Sequence, residues 1–175
     1  MSHEDIAAWE GFAVALAGAA AVLAGLIFVA VSINIDRILP VRGLPGRAGE
    51  SVVLFLTALT ACAFVLVPHQ PATALGVELL LLGLSSLTVL VLLVIPALRT
   101  PSRQPLTWHV TRVLGIVAAT VPMVLAGMSL VGWLPGGLYW LVASVLIALA
   151  GGTANAWVLL VEVVRDQRYQ PVEPA

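Results

Sequence analysis

The stretch "GFAVALAGAAAVLAGLIFVAVSINIDR", residues 11–37, holds no charge until Asp36 and Arg37 close it. Its uncharged part, 11–35, is longer than the roughly 20 residues that carry a helix across a hydrocarbon core about 30 Å thick. Such a run ending abruptly in Ser32, Asn34, Asp36 and Arg37 reads as a membrane helix meeting the headgroups.

The rest of the chain agrees. Of its 175 residues, 61% are hydrophobic and 10% charged, and the mean hydropathy is +1.07. Soluble domains are about 45–50% apolar and 25% charged, so the composition is that of a membrane protein. A net charge of −1 without a basic cluster gives nucleic acid nothing to bind. The one cysteine, Cys62, lies in an apolar segment, which excludes an internal disulfide and any cysteine metal spacing. The start, "MSHEDIAAWEG", lacks the positive region of a secretory signal, and the first apolar run exceeds a signal's core of about 7–15 residues. The expectation is that it is retained.

Five apolar segments have spanning length, at about 11–35, 50–67, 72–98, 110–131 and 138–161. They predict an all-α bundle of five transmembrane helices in a single transmembrane domain, with 162–175 as a short cytoplasmic tail. The breaks carry Pro, Gly and charge, as in "PHQPAT" and "GWLPGG". All eight positive charges are arginines, at 37, 42, 47, 99, 103, 112, 165 and 168. The start, the second break and the fourth hold none, so the positive-inside rule predicts the N-terminus outside and the C-terminus in the cytoplasm. A re-entrant hairpin over 110–161 gives the same arginine pattern and stays open. Trp9, Trp133, Tyr139 and Trp140 then fall at the outer boundary and Trp108 and Trp157 near the inner one, as interfacial anchors.

Helices in lipid associate through close backbone approach and a few polar contacts. In the first segment Gly11, Gly18, Gly25 and Ser32 recur every seven residues. In the fifth, Ser144, Ala148, Gly151, Asn155 and Glu162 share one sector. Both stripes predict packing faces, and hence inner positions for these helices in the bundle or in an oligomer. The Leu and Val faces of the second and third segments suit lipid.

No catalytic or metal constellation emerges. His3, His69 and His109 stand in different breaks without ligand spacing. Glu78, a turn or two into the third segment, is the costliest residue, since an acid at the bilayer centre costs about 2.5–3.5 kcal/mol. It is either a proton or cation ligand aligned with Ser85, or an interfacial residue paired with a neighbour. Asn155 reads as interhelical glue, and Glu162 as an interfacial partner of Arg165. Asn34 lies nearly opposite Ser32 and Asp36 on a continuous helix, so those three cannot make one site. Pro122 predicts a kink, and Thr57 and Thr60 a bond to their own helix.

The stretches "WEGFAVALAGAAAVLAGLIFVAVSINIDRIL", "PGRAGESVVLFL" and "VPHQP" resemble a family of small bacterial polytopic membrane proteins. These are of actinobacterial type and often carry the label modulator of FtsH protease. The likeness spans roughly residues 9–70 and implies an accessory role, with no functional residue to transfer. The expectation is a multi-pass protein of the cytoplasmic membrane that is not an enzyme and uses no cofactor. Its partners would be the lipid bilayer and either a homo-oligomer or a membrane protein. An oligomeric ion or proton channel, or a transporter subunit, using Glu78 is the alternative.

Overall fold

The computed structural model describes residues 6, 8–41, 43–99 and 106–167. Every element it describes is a helix: α1 (Glu10–Ile33), α2 (Ile35–Ile38), α3 (Leu44–Val65), α4 (Ala72–Arg99), α5 (Leu106–Val131) and α6 (Tyr139–Gln167). The five long ones are each long and apolar enough to cross a membrane. The chain is therefore a multi-pass membrane protein. Residues 1–5, 7, 42, 100–105 and 168–175 lie outside the described residues, and with them His3, Arg42, Arg103, Arg168 and most of the expected tail.

The largest departure from the sequence reading is the start of α3. It begins at Leu44, not near residue 50, so "LPGRAG" is helical although glycine and proline usually mark loops. Gly43 precedes it in the left-handed region at φ 89°, and Pro45 falls in the first turn, where a missing N–H leaves no bond unmade. The interior glycines are held by a neighbour: a Cβ on Gly49 would stand 3.3 Å from Leu93 Cδ1 of α4. Burial against α4 thus outweighs glycine's helix penalty of about 1 kcal/mol. At the other end of the chain, α6 runs on through Glu162 to Gln167, so the first residues of the expected tail are helical.

In the fold α3 is the hub, packed against α1, α4 and α6, while α4, α5 and α6 follow one another around it. In the most apolar window of α3, 56% of residues are buried; in α1 the figure is 11%. The second long helix, whose apolar face suited lipid, is therefore the core helix, and the first is the outermost. One apolar core runs from the inner face of α1 through α3–α6, with Leu54, Leu90, Met123, Leu141 and Val145 filling it. A smaller one joins Ile27, Ile38, Leu44, Ala48, Phe55 and Leu159 near the arginine-bearing turns.

Close approach inside the bundle comes from glycines other than those of α1. A Cβ on Gly127 of α5 would lie 2.6 Å from the Gly76 carbonyl oxygen of α4, and one on Gly152 of α6 would lie 2.6 Å from Phe55 of α3. These are the small-residue contacts that bring helices together in lipid. Helix α5 continues through Pro122 without interruption.

Candidate functional site

The polar centre of the bundle sits where α3, α5 and α6 converge at the arginine-bearing end. Glu50, two turns into α3, has no exposed surface, and the Arg112 side chain of α5 is 8% exposed. Arg112 Nε donates to both carboxylate oxygens, at 2.9 and 3.0 Å, and its Nη2 donates to Oε1. The planar guanidinium therefore grips the carboxylate side-on, a geometry only arginine offers. Asn155 Nδ2 of α6 approaches Glu50 Oε2 at 3.4 Å. One turn before Glu50, the half-buried Arg47 lies within electrostatic reach of Glu50, Arg112 and Glu162. Two cations and two anions from three helices share the site, so it is balanced in charge.

The neighbouring contacts seal it. Ser51 Oγ donates to the Gly152 carbonyl oxygen at 3.1 Å and to that of Arg47 at 3.2 Å, stapling α3 to α6 beside Glu50. Gly46 leaves room on the other side: a Cβ there would meet the Leu93 carbonyl oxygen at 3.4 Å and Arg112 Nη2 at 3.6 Å. Chemically the arrangement can hold a carboxylate and lock three helices, because losing one member would strand a buried charge at about 3–5 kcal/mol.

The residues singled out from sequence fall in four places. Asn155 is in this centre, and the α6 stripe leads to it: Ser144 and Ala148 are buried, and Gly151 and Asn155 half-buried. Ser144 Oγ donates to the Ala119 carbonyl oxygen of α5 at 2.5 Å. On α1, Gly11, Gly18, Gly25 and Ser32 are all exposed, and a Cβ on any of the three glycines would meet nothing within 4 Å. The face of α1 that packs on α3 is the opposite one, carrying Ala13, Ala20 and Ile27. Ser32 Oγ turns back on the Phe28 carbonyl oxygen. Asn34 is half-buried at the break between α1 and α2, and its Nδ2 donates to the Ala30 carbonyl oxygen at 2.9 Å.

Glu78 is at the other end of the molecule. It is partly exposed in the second turn of α4, and Gln70 Nε2, from the 66–71 turn, donates to its Oε2 at 2.6 Å. Ser85 is exposed and bonds the Leu82 carbonyl oxygen, so it does not join Glu78. Of the expected aromatic anchors, Trp9 stands edge-on to Tyr139 at 5.0 Å and Trp140 Nε1 donates to the Pro135 carbonyl oxygen.

Glu50 and Arg112 were the residues that sequence reasoning passed over, each taken for a flank of a loop. A signal was available: an acid and an arginine bordering otherwise apolar runs, Glu50 at the head of the 50–67 segment and Arg112 in the first turn of the 110–131 segment, mark intramembrane partners. Among the described residues no group of three or more His, Cys, Asp or Glu could hold a metal ion. Comparison of the chain with protein-family models, with curated proteins and with solved structures finds no match.

Proposed function

We propose that the chain is a non-enzymatic accessory or regulatory protein of the cytoplasmic membrane, acting through helix–helix contacts made by α1. The observation that carries this is the unpartnered glycine seam. Gly11, Gly18, Gly25 and Ser32 run the length of an outermost helix, opposite the face that already packs on α3. Lipid gains nothing from a glycine stripe, whereas another helix gains close backbone contact. The resemblance over residues 9–70 fits an accessory role.

The first partner to expect is a second copy. Between two copies inserted in the same orientation, the seam can meet itself about a two-fold axis along the membrane normal. The arginines, at 37, 47, 99, 112 and 165 among the helices and turns, support an orientation with the C-terminus in the cytoplasm.

The test is the mass of the protein in mild detergent and in lipid nanodiscs. The native chain is expected as a defined oligomer or in complex with a membrane protein, and Gly18→Leu with Gly25→Leu is expected to dissociate it without lowering its unfolding temperature. A lone monomer in both settings, with nothing co-purifying, overturns the proposal. The channel alternative rests on Glu78, whose carboxylate accepts a hydrogen bond from the turn residue Gln70; reconstituted vesicles without ion or proton flux would remove it.

A further inference from the structure

We propose that an uncovered strip of α3 receives the α1 glycine seam of a second copy of the chain. This rests on the seam being a contact face, and names the surface that the seam meets.

Although α3 is the hub, one side of it stays open. Helix α6 touches α1 and α5 joins α6 to α4, which closes the other sides of α3, whereas α1 and α4 each pack on α3 but not on each other. Between those two runs a strip that recurs every seven residues: Gly49 is half-buried, Leu56 is 47% exposed and Ala63 is exposed. Its edges are set by the neighbours. A Cβ on Gly49 would meet Leu93 of α4, and Val52 packs on the smaller core that holds Ile27 of α1.

Seam and strip share a period and a depth. Gly11, Gly18, Gly25 and Ser32 also recur every seven residues. Successive spans run in opposite directions, so a second copy inserted in the same orientation brings its α1 antiparallel to α3. Ile27 shares the smaller core with Ala48 and Phe55, which sets the level of one helix against the other. Gly25, two residues from Ile27, and Leu56, next to Phe55, therefore lie at similar depth. The common period then puts Gly18 opposite Ala63 and Ser32 opposite Gly49. In that register Leu56, the one large side chain of the strip, meets Gly25, where a Cβ would have nothing within 4 Å. A knob of one helix faces a hole in the other, the packing that holds helices together in lipid.

Thr60 adds a polar contact beside the strip, a turn from both Leu56 and Ala63. Thr57 and Thr60 were expected to bond their own helix, yet neither makes a hydrogen bond among the described residues. By contrast Ser85, Ser86, Thr88, Thr120 and Thr153 each donate to a carbonyl oxygen of their own helix. Thr57 is 7% exposed and Thr60 half-buried. In the hydrocarbon region a hydroxyl finds its acceptor in protein. A backbone carbonyl beside a glycine of the incoming α1 supplies one, as the Gly152 carbonyl does for Ser51 within the bundle. Seam and strip are different surfaces, so the contact is head-to-tail, and copies related by rotation about the membrane normal close into a ring.

The experiment is disulfide trapping in membranes that carry two versions of the full chain, both with Cys62→Ala, one with Gly18→Cys and the other with Ala63→Cys. A cross-linked pair of chains is expected when both versions are present and from neither version alone. Leu56→Ala is expected to lower its yield about tenfold and Thr60→Val about threefold, without lowering the unfolding temperature. A pair formed by the Gly18→Cys version alone, a yield indifferent to Leu56→Ala, or no mixed pair in a protein of oligomeric mass overturns this inference and leaves the seam a contact face. A protein of monomeric mass without any cross-link overturns both.

Discussion

Glu50 on α3 and Arg112 on α5, 62 positions apart, close on each other inside the bundle with the carboxylate wholly buried. In a low-dielectric interior such a pair is favourable only while both members are present. The variants Glu50→Leu and Arg112→Met, taken singly, are each expected to destabilise the protein by about 3–5 kcal/mol, because each strands one buried charge. Combined, they are expected to recover most of that loss, since two apolar side chains fill the space without desolvation. Unfolding in mixed micelles measures the cycle. If the double variant is as unstable as the sum of the singles, the two side chains do not act as a pair.

The α4–α5 contact is set by Gly127. A Cβ there would come within 2.6 Å of the Gly76 carbonyl oxygen and 2.8 Å of the Leu80 nitrogen, and backbone cannot swing aside. Gly127→Ala is therefore expected to cost about 1–3 kcal/mol by forcing the helices apart. Gly115→Ala on the same helix, where a Cβ would meet nothing within 4 Å, is expected to be neutral or mildly stabilising. Thermal unfolding of the two variants side by side separates packing from helix propensity.

These two sites show where the sequence was legible and where it was not. Length and hydropathy gave the five spanning helices, because a membrane imposes both on any chain that crosses it. Which face of a helix packs was harder. In α1 two heptads run two residues apart, Gly11, Gly18 and Gly25 against Ala13, Ala20 and Ile27, and at 100° per residue they lie on opposite sides. Both are smooth enough to pack, and only the position of α3 decides that the alanine face is the inner one. Glu50 was missed for a different reason. Gly46, Gly49 and Pro45 carry loop propensity, and the burial that overrides it comes from Leu93, a residue more than forty positions away in the chain.

The proposed orientation is checked with single cysteines in a Cys62→Ala background. Leu134, in the turn between α5 and α6, and Leu39, beyond α2, are both exposed and lie at opposite ends of the bundle. With the arginine-bearing end in the cytoplasm, Leu134→Cys is expected to react with a membrane-impermeant maleimide in intact cells. Leu39→Cys is expected to react only after permeabilisation. The reverse pattern would invert the protein and place α1's start inside.

Two hydroxyls staple α6 to its neighbours: Ser51 to the Gly152 carbonyl oxygen at 3.1 Å and Ser144 to the Ala119 carbonyl oxygen at 2.5 Å. Both are fully buried, so water does not compete for them. Interhelical hydrogen bonds in membrane proteins are nonetheless modest, about 0.6 kcal/mol on average, because the unfolded chain in lipid also finds partners. Ser144→Ala is expected to lose about that much, with the methyl filling nearly the same space. Ser51→Ala should lose a similar amount and no more, because its hydroxyl already shares itself with the Arg47 carbonyl oxygen of its own helix. If Ser51→Ala instead approaches the roughly 3–5 kcal/mol expected for breaking the Glu50 pair, Ser51 is part of the ionic centre and holds Glu50 in place. Measured unfolding free energies of the two serine variants decide between a staple and a support.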